Sequence, residues 1–345
     1  MHLIVGDIGG THARMALAEV VEGRVDLLRE QLYPSRGYPG LGPILQEFLG
    51  AAPRAQLSQA CIGVAGPVRE NCCRATNLPW SLDGDALARE AGLDRLTLLN
   101  DLEAAAWGLD ALDDSAVVTL HPGTPQAHGN QAVIAAGTGL GEAGRVWCED
   151  GYRVFASEGS HGDFAPGSEL GYSLHQWLTA KYQGHVSWER VVSGPGLVDL
   201  HAFLREAGGR PTPDWLRLAM EENDPAGAIA TAAQLHDDPV CAEALDLFIC
   251  YFGAEAGNHA LKLMATGGVY IAGGIAPKIA SRFASAGFLD AFFDKGRMQG
   301  LMRQMPVHLV TDPNLALYGA ARCAARAAAR RRGGILGIFP PLRRP

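Results

Sequence analysis

The sequence predicts an α/β protein of two domains, each built on a mixed sheet flanked by helices. One order of elements occurs twice: a strand, a glycine-threonine turn, two further strands and then helices. The chain has 345 residues, a length typical of two domains or of one large α/β unit. Its 48% hydrophobic and 19% charged residues are ordinary for a globular protein with a sizeable core.

The first half contains the first copy of this order. Alternating and β-branched residues predict strands, and apolar residues at helical spacing predict helices. The turn of this copy consists of Gly9, Gly10 and Thr11. The predicted strands are 2–7, 13–20, 25–33, 60–64 and 96–99. The predicted helices are 41–49, 82–91 and 102–109.

The second half restarts the same order. Strand 131–136 leads into a turn at Gly137, Thr138 and Gly139. A later strand ends in a second glycine turn at Gly273 and Gly274. The remaining predicted strands are 142–148, 151–155, 268–272 and 307–310. The predicted helical segments are 168–265, 276–284 and 315–330.

Domain boundaries follow from this repeat. Residues 1–112 with 313–330 are expected to form a small α/β domain, and residues 113–312 a large one. Loop 120–130, rich in glycine and proline, is the expected linker. Residues 331–345 combine glycine, proline and arginine without periodicity, which predicts a disordered tail.

Charge and cysteine content argue against several classes of protein. The formal net charge of -8 is opposite to the basic surface that nucleic-acid binding requires. The seven cysteines include no Cys-x-x-Cys pair and are expected to be reduced thiols. The N-terminus does not resemble a signal peptide, and the most apolar long stretch, 240–265, contains charged residues throughout. We therefore expect a cytoplasmic protein without a membrane or nucleic-acid partner. A homodimer is compatible with the sequence, which does not determine the oligomeric state.

The two glycine-threonine turns are typical of phosphate binding. Glycine lets backbone N–H groups approach an anion, and the threonine hydroxyl adds a donor. Asp7 stands directly before the first turn, where its carboxylate is a candidate to hold Mg²⁺ through water. A single turn of this kind is more often structural, but the duplication favours function. The P-loop motif is absent, and the dinucleotide fingerprint fails at Glu142.

Polar residues at strand ends are candidates for binding an alcohol that accepts phosphate. Asn100 and Asp101 follow strand 96–99 and open a helix. Asn100 is explained equally well as a helix N-cap, with Glu103 completing a capping box. The two roles are compatible, because a helix start also directs polar groups at a ligand. Asp101 would be a weak base there, which is tolerable because phosphoryl transfer is largely dissociative.

A glycine-rich loop after strand 151–155 contributes Glu158 and His161 as groups for sugar hydroxyls. A zinc site is the rival interpretation, but no cysteine or second histidine has supporting spacing. A solvated surface pair is the other alternative. Asn77 is a further polar residue at a turn, and Glu189 has no special local signal.

Together these motifs resemble the bacterial glucokinase family. The resemblance implies a ribonuclease H-like (actin-like ATPase) fold, with a cleft between two domains that close on the sugar. The matching segments span nearly the whole chain in the family's order. They are DIGGTHAR (7–14), GVAGPV (63–68), TNLPW (76–80), LLNDLEAAAWGL (98–109), GTGLGEA (137–143), SEGSHGDFAP (157–166), HVSWERVVSGPGL (185–197) and GGVYIAGGIAPK (267–278).

The resemblance also implies a reaction, the ATP-dependent phosphorylation of D-glucose to glucose 6-phosphate, the first step of glycolysis. Asp101 would be the base toward the 6-hydroxyl group, and Asp7 would serve Mg²⁺. Glucose would be bound by Asn100, Asp101, Glu158, His161 and Glu189, with Asn77 as a further candidate. The phosphates of ATP would be held by Gly9, Gly10, Thr11, Gly137, Thr138 and Gly139, and the adenosine would lie by Gly273 and Gly274.

The chain departs from the family at two positions and from a related group at a third feature. His12 stands where the family commonly has asparagine. Glu142 would place a carboxylate close to the phosphates, unless its strand faces it outward. The cysteine-rich zinc motif of the related repressor/kinase group is absent from the sequence, so the chain resembles the zinc-free branch.

Alternative functions stay open at this point. A kinase for mannose or fructose would differ only in hydroxyl contacts, which a sequence does not reveal. A non-catalytic sugar-sensing regulator usually has a DNA-binding segment ahead of the first phosphate turn, whereas only residues 1–6 precede Asp7 here. An actin-like or chaperone-like ATPase would share the turns without needing the polar sugar set. A phosphoryl donor other than ATP is also compatible with the motifs.

Overall fold

The computed structural model describes residues 1–50, 57–149, 151–222, 224–235, 238–283 and 287–331. The strands in these ranges are His2–Ile8 (β1), His12–Val21 (β2), Arg24–Pro34 (β3), Gln59–Val64 (β4), Val68–Arg69 (β5), Cys72–Arg74 (β6), Ser81–Asp83 (β7), Arg95–Asn100 (β8), Val117–His121 (β9), Gln131–Ala136 (β10), Leu140–Cys148 (β11), Gly151–Ser157 (β12), Gly268–Ala272 (β13) and Val307–Val310 (β14). The α-helices are Leu41–Gly50 (α1), Gly84–Ala91 (α2), Asp101–Gly108 (α3), Glu169–Tyr182 (α4), Gly194–Ala207 (α5), Asp214–Glu222 (α6), Pro225–Leu235 (α7), Pro239–Leu263 (α8), Phe288–Phe293 (α9), Gln299–Met302 (α10) and Leu315–Arg331 (α11).

The first sheet has five strands in the order β3-β2-β1-β4-β8. The β1-β2 and β2-β3 pairs are antiparallel, whereas the β1-β4 and β4-β8 pairs are parallel. β1 is apolar on both faces: Ile4 joins the core under α1 and α2, and Leu3 and Val5 join the core under α11. Such two-sided burial is what parallel strands require when helices cover both faces of a sheet.

Helices α3 and α11 pack unusually closely on one face of this sheet. A Cβ on Gly319 of α11 would overlap the carbonyl oxygen of Ala104, and a Cβ on Gly108 would overlap that of Leu315. The two glycines therefore let the helix backbones touch. This contact fixes α3, whose first residue is Asp101.

The second sheet has the order β12-β11-β10-β13-β14-β9. β10 pairs parallel with β13, and β13 pairs parallel with β14. Apart from β9, the order is third, second, first, fourth, fifth in the chain, as in the first sheet. The predicted duplication of a mixed sheet is therefore confirmed.

The long helix α8 lies in the core of the second sheet's helical layer. Its residues Phe248 and Phe252 are fully buried, and it packs against α5, α7 and α9. Asp238 caps its start by accepting hydrogen bonds from two backbone N–H groups, at 3.0 and 2.9 Å. The same carboxylate pairs with Arg205 at 2.8 Å. A capped, mostly apolar helix of this length is expected to be a rigid support.

Loop 120–130, the expected linker, is held by backbone hydrogen bonds within the second unit. β9 takes up its beginning and lies beside β14 at the sheet edge. Thr124 N–H donates to the carbonyl oxygen of Gln304 at 2.8 Å, and Gln126 N–H donates to that of Thr266 at 2.9 Å. Loop composition did not reveal these long-range backbone bonds.

Two local predictions of helix also differ from the structure. Residue 82 lies in β7, which completes a small sheet of order β5-β6-β7, and Asp83 then caps α2 by accepting from Ala86 N–H at 2.9 Å. Residues Ala276–Arg282 form a 3-10 helix instead of an α-helix, with Ile279 at φ -115°. Residue 284, the predicted end of that helix, lies outside the described residues.

The chain divides into two compact units. The first contains Met1–Val117, Ala143–Ala156 and the described chain from Asp312 onward, and the second contains Val118–Glu142 and Ser157–Thr311. The first unit thus includes the segment Ala143–Ala156, which the sequence assigned to the large domain. The expected tail lies outside the described residues, except for Arg331 at the end of α11. In the described ranges, helices long and apolar enough to span a membrane are absent.

Candidate active site

The first unit gathers several predicted site residues at one edge of its sheet. β1, β4 and β8 run parallel, with Ile8 beside Val64 and Val64 beside Asn100. Their carboxyl ends therefore meet at the same edge, which is where open α/β sheets bind ligands. Asp7 at the end of β1 and Asp101 directly after β8 share this edge.

The first phosphate turn is held rigidly against β3 and its following residues. Ser35 donates from its hydroxyl to the carbonyl oxygen of Gly9 at 2.9 Å and from its backbone to that of Thr11 at 3.0 Å. A Cβ on Gly10 would lie 2.8 Å from the Cβ of Asn77, so Asn77 packs directly on this turn. The structure thus brings the sugar candidate Asn77 beside the turn. His12, the departure from the family pattern, is exposed.

Asp7 is a partly enclosed carboxylate. Burial raises its pKa above the ordinary value, and the guanidinium of Arg14 opposes this rise. Arg14 sits opposite Asp7 in the β1-β2 register and donates to Asn314 Oδ1 at 2.8 Å. A carboxylate disfavoured by burial gains stability from a nearby cation. This donor fits Mg²⁺, which proteins often hold with one or two carboxylates and the substrate's phosphates.

Asn100 caps α3, as predicted. Its Oδ1 accepts from the N–H groups of Leu102 and Glu103, at 3.0 and 3.2 Å, and its Nδ2 donates to the carbonyl oxygen of Gly66 at 3.2 Å. Burial raises the pKa of Glu103, and a hydrogen bond from the Asn100 backbone opposes the rise, which completes the capping box. The half-buried Asp101 accepts from Leu102 N–H at 3.0 Å. The helix start therefore holds both side chains in fixed directions.

The second unit brings the other nucleotide candidates to one edge of its own sheet. β10 and β13 are parallel, so turn 137–139 and turn 273–274 follow neighbouring carboxyl ends. Gly137 N–H donates to the carbonyl oxygen of Gly139 at 2.8 Å. Gly273 has φ +91°, and a Cβ there would lie 2.5 Å from the carbonyl oxygen of Ala136. Position 273 consequently needs glycine, whereas a Cβ on Gly137 would meet no atom within 4 Å among the described residues.

Sequence reasoning missed one part of this edge, the start of α5. Gly194 N–H donates to the carbonyl oxygen of Gly137 at 2.8 Å. Ser193 caps α5 by accepting from Gly196 N–H at 3.1 Å. The order serine, glycine, proline is a helix-start signal that would have located it. A helix N-terminus thus lies beside the second phosphate turn.

The three sugar candidates of the second unit lie together. Glu158 Oε2 is 3.6 Å from His161 Nε2, and Glu189 Oε1 is 4.0 Å from His161 Nδ1. Glu158 and His161 are half exposed and Glu189 is 30% exposed, so all three are accessible to a ligand. Two carboxylates flanking an imidazole offer both acceptors and donors to sugar hydroxyls.

Glu189 also supports the second glycine-threonine turn. Its Oε2 accepts from Leu140 N–H at 3.0 Å, and a Cβ on Gly139 would overlap this carboxylate. One side chain therefore contacts both turn 137–139 and His161. A side chain at position 139 would displace this carboxylate.

Glu142 does not lie among the phosphate-binding groups. Its side chain is 1% exposed, and its Oε2 lies 3.2 Å from Nδ1 of the buried His259. Although burial acts to raise the pKa of Glu142, the contacts with His259 and Glu255 hold it below the ordinary value. Burial raises the pKa of Glu255 to about 7, with Glu142 adding to the rise. The two carboxyl groups therefore behave as a pair that retains one proton below neutral pH.

Replacing Glu255 with glutamine is expected to change how stability depends on pH. An unfolded chain releases this proton near the ordinary pKa of 4.5, whereas the folded protein retains it to about pH 7. The folded state binds more protons between these values, so the free energy of unfolding falls as pH rises through this range. This decrease in the free energy of unfolding is on the order of 3 kcal/mol in the unaltered protein, and the variant should lack it. Urea unfolding at pH 5 and pH 8 measures the free energy of unfolding of both proteins. An equal decrease in the variant and the unaltered protein would contradict the assignment.

Among the residues with described positions, groups of three or more histidine, cysteine or acidic side chains placed to hold a metal ion are absent. The cysteines at 61, 72, 73, 148, 241, 250 and 323 are reduced. The magnesium candidate rests on a single protein carboxylate and is unaffected by this finding.

Comparisons with known proteins agree on one family. A family model described as Glucokinase matches residues 4–327. The chain is similar to a glucokinase of Nostoc punctiforme, with 41% identity over 337 residues, covering 94% of this chain and 99% of that protein.

Solved structures give the same result for the fold. A crystal structure of glucokinase from an Antarctic psychrotroph has a TM-score of 0.79 and 31% identity, with 94% of this chain and 99% of that one covered. A ROK family glucokinase from Streptomyces griseus, in complex with glucose and AMPPNP, has a TM-score of 0.65 and 22% identity, with coverage of 94% and 100%. The predicted α/β fold of the actin-like sugar kinases is confirmed.

Proposed function

Because the chain belongs to the glucokinase family and is an ATP-dependent glucose kinase, we propose that Asp101 accepts the proton of the sugar's 6-hydroxyl group. The observation that carries this assignment is the shared sheet edge of the first unit. Register pairing places the start of α3 beside the ends of β1 and β4. A hydroxyl bound by Asp101 would therefore lie near the turn that holds the phosphates.

Asp101 acts mainly by orienting the hydroxyl group. Its carboxylate is held at a helix N-terminus, where the helix dipole stabilises negative charge and makes it a weak base. A weak base suffices, because the phosphoryl group leaves ATP through a loose transition state and the proton moves late. The fixed direction of the side chain aims the hydroxyl group, and the carboxylate is still needed to take up its proton.

The two glycine-threonine turns serve the phosphates in this proposal. Gly9, Gly10 and Thr11 offer backbone N–H groups and a hydroxyl in the first unit, and Gly137, Thr138 and Gly139 do so in the second. The exposed turn of Gly273 and Gly274 takes the adenosine. The start of α5 beside Gly137 adds a positive helix end, which favours an anion.

The candidate glucose ligands supply both acceptors and donors. Asn77 and Asn100 contribute amides, and Glu158, His161 and Glu189 contribute the carboxylate-imidazole set. Charged acceptors make the stronger hydrogen bonds to hydroxyl groups. A site built to pair each hydroxyl rejects sugars that leave one of these groups unpaired, which favours glucose over mannose or fructose.

Magnesium and a cytoplasmic location complete the proposal. Asp7 would hold Mg²⁺ on the phosphate side of the first turn, where the bound ion would neutralise phosphate charge. The reduced cysteines are consistent with this location, because disulfides are rare in the cytosol.

A coupled assay of ADP release tests the function. The purified protein, ATP and Mg²⁺ are combined with glucose, mannose or fructose, and with no sugar. We expect the highest kcat/KM with glucose and little ADP release without sugar. Rapid sugar-independent release would favour the ATPase alternative, and a higher kcat/KM with another hexose would overturn the assignment of glucose.

A further inference from the structure

A buried carboxylate lies directly beneath the loop that carries Glu158 and His161. Glu142, on β11, is 1% exposed. A Cβ on Gly159 would overlap Oε2 of Glu142, so the loop backbone rests on this carboxylate. Gly159 follows Glu158 directly and lies two residues before His161. Glu142 therefore contacts loop 158–161 and is shielded from solvent.

Helix α8 holds the other side of this carboxylate. His259 Nδ1 lies 3.2 Å from Glu142 Oε2, and the imidazole is 2% exposed. One turn earlier on α8, the fully buried Glu255 accepts from Asn258 at 2.8 Å, and Lys262 Nζ lies 3.5 Å from its other oxygen. Helix α8 is the capped helix of the core, so the network is anchored to a rigid element.

A charge at this position is costly, because the free energy lost when a carboxylate is removed from water is offset only by well-placed partners. An apolar side chain of similar volume would fill the same interior space at a lower cost. Filling the core therefore does not explain Glu142. Its contact with Gly159 indicates instead that the carboxylate supports loop 158–161.

We infer that Glu142, held by His259, is a positioning residue that fixes loop 158–161 for glucose binding. This inference rests on the proposed role of Glu158 and His161 as glucose ligands. The carboxylate supports the backbone at Gly159 from the interior, and the imidazole fixes the direction of the carboxylate. A small displacement of the loop would misalign two sugar hydrogen bonds at once.

Turn 137–139, which directly precedes β11, is supported by other contacts. Gly194 N–H donates to the carbonyl oxygen of Gly137 at 2.8 Å, and Glu189 accepts from Leu140 N–H at 3.0 Å. Loss of the Glu142 charge should therefore affect glucose far more than ATP.

The test is Glu142→Gln, which keeps the shape of the side chain and removes its charge. We expect the KM for glucose to rise roughly tenfold or more, with kcat and the KM for ATP changed less than about threefold. His259→Gln should give a similar rise. The double variant should exceed neither single variant, because the two residues act as one unit.

A matched control is Asp238→Asn, which disrupts a buried ion pair with Arg205 at the other end of α8. It should lower the melting temperature and leave the KM for glucose unchanged. If Glu142→Gln lowers the melting temperature alone, like this control, the inference is wrong. An equal rise in the KM for ATP would also overturn it.

Failure of the proposed function would look different, because the unaltered protein would then lack glucose-dependent ADP release. If Glu142→Gln does not fold, Gly159→Ala tests the contact from the loop side. That variant should raise the KM for glucose by a similar factor, and an unchanged KM would reject the inference.

Discussion

Asp101→Asn is expected to lower kcat for glucose by roughly 10²–10⁴-fold in a protein that folds normally. The asparagine oxygen can still accept from Leu102 N–H, as the carboxylate does at 3.0 Å, so the start of α3 should persist. The amide cannot take the proton of the 6-hydroxyl group. It can still bind that hydroxyl, so the KM for glucose should change little. Steady-state kinetics and thermal unfolding measure the two effects separately.

A matched control is Asp85→Asn, since Asp85 lies in the first turn of α2 as Asp101 lies in the first turn of α3. This control should retain the activity of the unaltered protein. A kcat for Asp101→Asn within about threefold of normal would reject Asp101 as the base, because a removed acid-base group costs far more.

Gly319→Ala should destabilise the first unit by about 3 kcal/mol, through overpacking of α11 against α3. The added methyl group would overlap the carbonyl oxygen of Ala104 and approach the backbone nitrogen of Gly108 too closely. Backbone atoms cannot rotate away as a side chain can, so the helices must separate. Since α3 begins at Asp101, kcat should fall as well. Urea denaturation and the coupled assay measure the two effects.

Gly50→Ala is the control for this prediction. Gly50 ends α1, and a Cβ there would meet no atom within 4 Å among the described residues. Its stability should be unchanged or raised by up to about 1 kcal/mol, because alanine restricts the unfolded chain. Equal stability of the two variants would show that α3 and α11 tolerate a wider separation.

Long periodic segments made most of the fold predictable. The apolar run of β1 and the repeated glycine-threonine turns gave both sheets, because each signal spans many residues. Strands β5, β6 and β7 have only two or three residues, too few to show a period of two. Residues Ala276–Arg282 have helical spacing, but the choice of a 3-10 helix depends on packing.

The site was predictable where its signals are local. Asn100 followed by Glu103 is a capping pattern readable within four residues. Glu189 gave no such signal, because its partner Leu140 N–H lies 49 residues away in the chain. The buried position of Glu142 was not predictable for the same reason, since its partner His259 lies on a distant helix. Contacts set by tertiary structure leave no trace in neighbouring residues.

Helix α11 covers one face of the first sheet, and this packing has a consequence for biosynthesis. Arg322 on α11 donates to the carbonyl oxygen of Gly23 at 2.7 Å, across 299 residues of sequence. Leu3 and Val5 are covered by α11. A nascent chain on the ribosome therefore keeps this apolar face uncovered until residues beyond 315 have emerged. Closure of the N-terminal sheet is thus a late event in synthesis, and ribosomal stalling before that point would leave an aggregation-prone intermediate.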